Sequence, residues 1–156
     1  LQLWRGAIRD IEADVTTFPD SDKAQMQAYA DKIMSLVEKY TTLFNSQADG
    51  ESMTPSDEKF TDFAATASGF YAKMSQEIVK LKAPSSGVTE HLDYANSIKE
   101  NAQAWHEISQ IKIDPMKAIS GLSRQQQAQA DEQVAITNLT NFLSQNDIIE
   151  FTIPLR

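Results

Sequence analysis

The chain predicts an all-α fold: an antiparallel bundle of four or five helices over residues 1–146, followed by an extended tail over residues 147–156. Three observations carry this reading. Large apolar residues recur at alternating steps of three and four, the period of helices that bury one face. Proline-bearing breaks at Pro19, Pro55, Pro84 and Pro115 separate these runs, because a proline keeps the residue before it out of the helical region. Only the tail changes period, to a strict alternation.

The first stripe is Leu1, Trp4, Ile8, Ile11, Val15 and Phe18, a helix that Pro19 ends. At 1.5 Å per residue it reaches about 27 Å, against about 39 Å for the second helix over Asp22–Gln47. Leu1 is already in phase with the pattern, which reads as a mature chain or a fragment that has lost something upstream. The second stripe is Met26, Ala30, Ile33, Val37, Tyr40 and Phe44, with Asp22 and Gln25 as a loose capping box. Asn45 to Met53 reads as a loop. Thr54-Pro55-Ser56-Asp57 then starts a third helix with the stripe Phe60, Phe63, Ala67, Phe70, Met74, Ile78 and Leu81. Its small residues Ala64, Ala65, Ala67, Ser68 and Gly69 would let a neighbour approach closely.

Ala83 to Gly87 breaks the chain again. The fourth stripe is Val88, Leu92, Ala95, Ile98, Ala102 and Trp105, continuing to Ile108. Asp114-Pro115 repeats the cap-then-proline signature and opens a fifth segment from Met116 to Leu143, with an exposed glutamine-rich centre at Gln125–Ala130. The turn before Pro115 is unusually apolar, and a break is favoured there over a kinked continuous helix. In the tail, Ile149, Phe151, Ile153 and Leu155 alternate with polar residues or proline, the pattern of a strand with no evident partner in the chain. Such a tail packs as an extended arm or pairs with another chain.

Composition excludes much chemistry. With 22 acidic against 14 basic residues the net charge is −8, which disfavours nucleic acid. There is no cysteine, hence no disulfide framework, thiolate metal site or cysteine nucleophile. The five glycines build no phosphate loop or dinucleotide fingerprint. His91 and His106 lie about 22 Å apart along one helix, so they cannot share a metal, and both read as surface or capping residues. No cofactor, no metal and no enzymatic activity are expected. No run of 18 apolar residues occurs, so a membrane would be reached only through flanking segments outside this sequence.

Two features remain as candidate sites. Arg5 and Arg9 stand one turn apart and flank Trp4, a fork-shaped cationic pair suited to a carboxylate ligand, although pairing with Asp10, Glu12 or a neighbouring helix is the more ordinary role. Ile149, Phe151 and Ile153 of the tail are the candidate partner-binding residues.

The order of a first stripe with Arg5 and Arg9, a proline-broken turn, a capped helix ending in Tyr40 and Phe44, and a hairpin from Phe60 to Leu81 resembles the periplasmic four-helix-bundle ligand-binding domains of bacterial chemoreceptors. The resemblance covers Leu1 to Ile111 and rests on periodicity and turn placement; the fifth segment and the tail depart from it. It implies carboxylate recognition by Arg5 and Arg9. The expected function is therefore a non-enzymatic extracytoplasmic binding or sensor domain for a small carboxylate or polar ligand. The alternative is a helical subunit of a larger assembly, of toxin or secretion type, whose tail strand pairs with another protein chain. A homodimer is compatible with either.

Overall fold

The computed structural model describes residues 15–47 and 58–153. These form an all-α structure of four long helices: α1 (Lys23–Gln47), α2 (Glu58–Val79), α3 (Val88–Ser109) and α4 (Pro115–Gln145). Two very short strands, β1 (Thr17–Phe18) and β2 (Ala83–Pro84), pair in parallel. Helix boundaries follow local chemistry. At the start of α1, Asp22 accepts from the Gln25 backbone N–H at 3.1 Å and from its side-chain amide at 2.7 Å. These bonds hold the Asp22 carboxyl below the usual carboxylate range. At the start of α4, Asp114 accepts from the Lys117 N–H at 3.1 Å, with Pro115 in the first helical position where no N–H is missed. The chain thus breaks at Pro115. Replacing Asp114 by alanine leaves that amide unsatisfied and should cost about 1 kcal/mol in urea unfolding.

The first predicted helix is corrected at its end. Val15 to Phe18 are not helical. Two β-branched threonines followed by Phe18-Pro19 make a poor last turn, and the chain instead runs extended beside the α2–α3 connection. Thr17 pairs with Ala83 and Phe18 with Pro84, the Ala83 N–H donates to Thr16 at 2.9 Å, and Ser85 donates to the Phe18 carbonyl at 2.7 Å. Phe18 is buried in the core. This clamp ties the entry of α1 to the turn that leads into α3.

Consecutive helices run antiparallel. On α2, Ser68 donates to the Ala102 carbonyl at 2.7 Å, and Ser75, seven residues further on, donates to Ala95, seven residues earlier on α3, at 2.8 Å. Both bonds require backbones close together, which Ala64 and Ala67, both buried, permit. The small-residue stripe therefore does bring α3 close, except at Gly69, which faces open space. On the other side of α3, Gly121 of α4 lies against Ala104, Glu107 and Ile108, and Gly87 against the Phe142 ring. One core unites Met26, Ile33 and Val37 of α1, Met74 and Ile78 of α2, Ile98 of α3 and Leu139 of α4. Trp105 packs edge-on against Phe63, half-buried at its margin.

The tail is not a strand in its described part. After α4, the Ile148 N–H returns to the Leu143 carbonyl at 2.9 Å and the Asp147 N–H to Ser144 at 3.1 Å, with Asp147 at φ 68° in the left-handed region. This reversal sends residues 148–153 back along α1. Lys23 holds Asp147 at 3.3 Å, and Ile153 lines one pocket with Met34 and Val37. Six extended residues span roughly 20 Å and the fourteen helical steps from Lys23 to Val37 roughly 21 Å, so an extended chain matches the helix beside it.

Candidate functional site

The polar chemistry of the molecule gathers on α3. Its spacing places one flank toward α1 and α2 and the other toward α4. His91 sits three residues after Val88 and four before Ala95, in phase with the buried stripe, and it is fully buried. The expectation of a surface or capping histidine is therefore wrong for His91, while His106 is exposed. The His91 Nδ1 is 2.8 Å from the Tyr29 hydroxyl of α1. Burial, followed by the nearby Tyr94 and Glu90, pushes the Tyr29 hydroxyl pKa far up, and burial lowers that of His91 to about 4, so both groups are neutral at pH 7. The neutral tyrosine hydroxyl and the neutral imidazole thus share one hydrogen bond at Nδ1. The Val79 carbonyl acts weakly on the ring in favour of protonation, but Nε2 makes no well-aligned hydrogen bond. This pair is a polar rivet between α1 and α3.

On the α4 side the groups are acidic. Glu100 of α3 and Asp131 of α4 stand nearly the same distance from the Pro115 turn, one before and one after, and the antiparallel hairpin brings them together. Burial, then the hydrogen bond and negative charge of Asp131, raise the Glu100 carboxyl to about 7. Near neutral pH Glu100 thus keeps much of its proton, because burial and the neighbouring carboxylate both disfavour its ionised form. They line an open groove of about 240 Å³ with Asp93, Asn96, Val134 and Asn138. Ser97, buried, also reaches this groove while its hydroxyl donates to the Tyr94 carbonyl at 2.7 Å. Next to Glu100 in sequence, Asn101 is fully buried; its amide donates to Ser97 O at 3.1 Å and to Glu132 at 3.4 Å, and its Oδ1 has no partner.

The residues singled out from the sequence fall elsewhere. Trp4, Arg5 and Arg9 lie outside the described residues. Of the tail residues, Ile149 is exposed, whereas Phe151 and Ile153 are buried in this chain's own core. The expected alternation holds only for Phe151 and Ile153, which face this chain's own helices; before them it is Ile148, not Ile149, that is buried. Sequence reasoning misses Glu100 and Asp131 because each has its partner on a different helix. The signal that finds them is their near-equal spacing about the turn, which matters only once the break at Pro115 is accepted.

Among the described residues no helix is long and apolar enough to cross a membrane, and no three His, Asp or Glu side chains converge as a metal site. The chain matches no protein-family model, no curated protein and no solved structure.

Proposed function

We propose that the chain is a non-enzymatic helical-bundle binding domain, of the sensor kind that its helix order resembles, and that the α3–α4 groove seats a small polar ligand bearing an ammonium group. The observation that carries this reading is the Glu100–Asp131 pair, two carboxyls brought together from different helices at the wall of a groove. Perturbed carboxyls concentrate where a fold keeps charge for use, and a cation seated beside the two groups relieves their repulsion. The groove's sign favours amines over the carboxylates expected for Arg5, Arg9 and Trp4. An extracytoplasmic setting belongs to the same reading, through the resemblance alone. The alternative, an assembly subunit that lends its tail to a partner sheet, would require Phe151 and Ile153 to leave the core first.

The test is a thermal-shift series with small primary amines, organic acids and sugars at millimolar concentration. An amine should raise the melting temperature of the native chain, since binding to the folded form alone stabilises it. The shift should grow from pH 6 to pH 8 as Glu100 gives up its proton, and Glu100→Gln should abolish it. Glu100→Gln should also stabilise the unliganded protein at pH 8. A carboxyl raised in the folded state contributes most below the unfolded value of 4.5 and loses that contribution as pH rises through about 7. Discounted for partial exposure, the gain is about 1–2 kcal/mol. Shifts from organic acids alone, or none from any amine, would remove this reading.

A further inference from the structure

The seam between α2 and α3 holds another cavity, opposite in charge to the α3–α4 groove. It encloses about 300 Å³ and is lined by Ala72, Gln76, Val79 and Lys80 on the α2 side and by Asn96 and Lys99 of α3. The hydroxyls of Ser68 and Ser75 hold the two backbones close, while Ala72 puts only a methyl group into the gap between them. Asn96 lines both cavities, so α3 is a wall with an acidic flank toward α4 and a basic flank toward α2.

Register sets the separation of the two lysines. Ser68 lies level with Ala102, and Ser75 with Ala95. Counting along these antiparallel helices puts Lys99 level with Tyr71, and Lys80 about 13 Å further along the axis. The Lys80 N–H still bonds back to the Gln76 carbonyl at 3.3 Å, so the helical rise holds to that residue. The cavity is therefore a trough with an ammonium group at each end, and with Ala72, Val79 and the amides of Gln76 and Asn96 between them. Ser75, buried beneath, already gives its hydroxyl proton to the Ala95 carbonyl.

The neighbouring acids are turned elsewhere. None of the described residues that line the trough is acidic. From Ala72 to Lys82 the chain carries Lys73, Lys80 and Lys82 against Glu77 alone. Glu77 faces α1, where Tyr40 donates to it at 2.9 Å and Lys39 pairs with it at 3.2 Å; Lys80 acts on it more weakly than Lys39 does. Glu90 is about 180° around α3 from Lys99 and lies near Tyr29. Asp93 and Glu100 line the α3–α4 groove. Neither Lys80 nor Lys99 forms an ion pair among the described residues.

Two compact cations on flexible stems, set apart by an apolar floor, match two anionic ends joined by an apolar spacer. Suberate measures roughly 9 Å between its carboxyl carbons, and a contact of about 3 Å at each end carries it to about 15 Å, close to the lysine separation. Joining the ends makes the second contact intramolecular, an advantage that a single anion lacks. We propose that the α2–α3 trough binds a linear dicarboxylate, with one carboxylate at Lys99, the other at Lys80, and the methylene chain over Ala72 and Val79. The site shares no charged residue with the amine groove, and either can exist without the other.

Nuclear magnetic resonance titration of the full chain with succinate, adipate, suberate and sebacate tests this. Suberate should shift the amide signals of Gln76, Val79 and Lys99 with a Kd of about 1 mM, since exposed ammonium–carboxylate contacts are individually weak. Succinate, too short to reach both lysines, and octanoate, with one charged end, should each bind about five-fold more weakly or worse. Lys80→Gln and Lys99→Gln should each weaken suberate about five-fold, and Lys32→Gln, an exposed change on α1, should not. Ala72→Met should fill the trough and abolish binding with unchanged helical circular dichroism. Octanoate or inorganic phosphate binding as tightly as suberate would overturn the proposal, as would lysine variants that bind like the native chain or no shifts at about ten times the expected Kd. Glu100→Gln should leave suberate binding intact, so loss of the amine response there removes neither result from the other.

Discussion

Gly121→Ala is expected to destabilise the protein by about 2 kcal/mol in urea unfolding at pH 7, while Gly69→Ala stabilises it by about 1 kcal/mol. Both glycines lie inside long helices, and both substitutions remove the same backbone entropy from the unfolded chain. They differ in what the new methyl meets. At Gly69 there is nothing within 4 Å, so only the helix-propensity gain remains. At Gly121 a Cβ would stand 2.9 Å from the Glu107 Cβ, 3.0 Å from the Ile108 nitrogen and 3.1 Å from the Ala104 carbonyl oxygen. Two of these are backbone atoms, which no rotamer change can move, so α3 and α4 must part. Parting them loosens the seam that carries Ala104 and Ala118 and, further along, Glu100 and Asp131. The amine-induced shift proposed above should therefore weaken in Gly121→Ala and persist in Gly69→Ala. Equal effects at the two sites would mean that the helices are not in the close contact described.

Acidification provides the second large effect. His91 is expected to withdraw about 3 kcal/mol of stability between pH 6.5 and pH 4, since one pKa unit corresponds to about 1.4 kcal/mol. The sign follows from proton linkage. The unfolded chain binds a proton at His91 near 6.5 and the folded chain only near 4, so the unfolded state takes up more protons throughout that window. The contribution is complete above 6.5 and falls as pH drops toward 4. Glu100 acts in the opposite direction, losing stability as pH rises from 4.5 to about 7. The two trends oppose each other over most of the same range, so the native chain should show a shallow dependence. Urea midpoints measured in Glu100→Gln should reveal the steep acid loss. Adding His91→Gln, which cannot titrate but can still hydrogen-bond Tyr29, should flatten it again. An acid slope that survives in the double variant would show that His91 is not its source.

Particular residues separate what the sequence foretells from what it hides. The seams of α1 and α3 are legible because Met26, Ile33, Val37, Leu92 and Ile98 obey the helical period, and burial of an apolar face is the dominant force that drives folding. The capping of α1 by Asp22 and of α4 by Asp114 is legible because both are contacts within one turn. The helical reading of Val15 to Phe18 fails where a periodic pattern runs into Phe18-Pro19. A backbone partner at Ala83, far along the chain, wins there over local propensity. Of the alternating residues Ile149, Phe151 and Ile153, the last two turn into this molecule's own core, while Ile149 is exposed and Ile148 is buried instead.

What the sequence determined by itself, then, is the all-α class, the breaks and most of the buried faces, because periodicity and capping act between residues a few positions apart. What only the tertiary structure decided is which isolated polar groups meet: Tyr29 with His91, Glu100 with Asp131, Ser68 with Ala102. It also decided which glycine is crowded and which apolar residues are left facing solvent. Those outcomes depend on the register between helices, where a shift of one turn, about 5.4 Å, exchanges every partner without altering any local pattern.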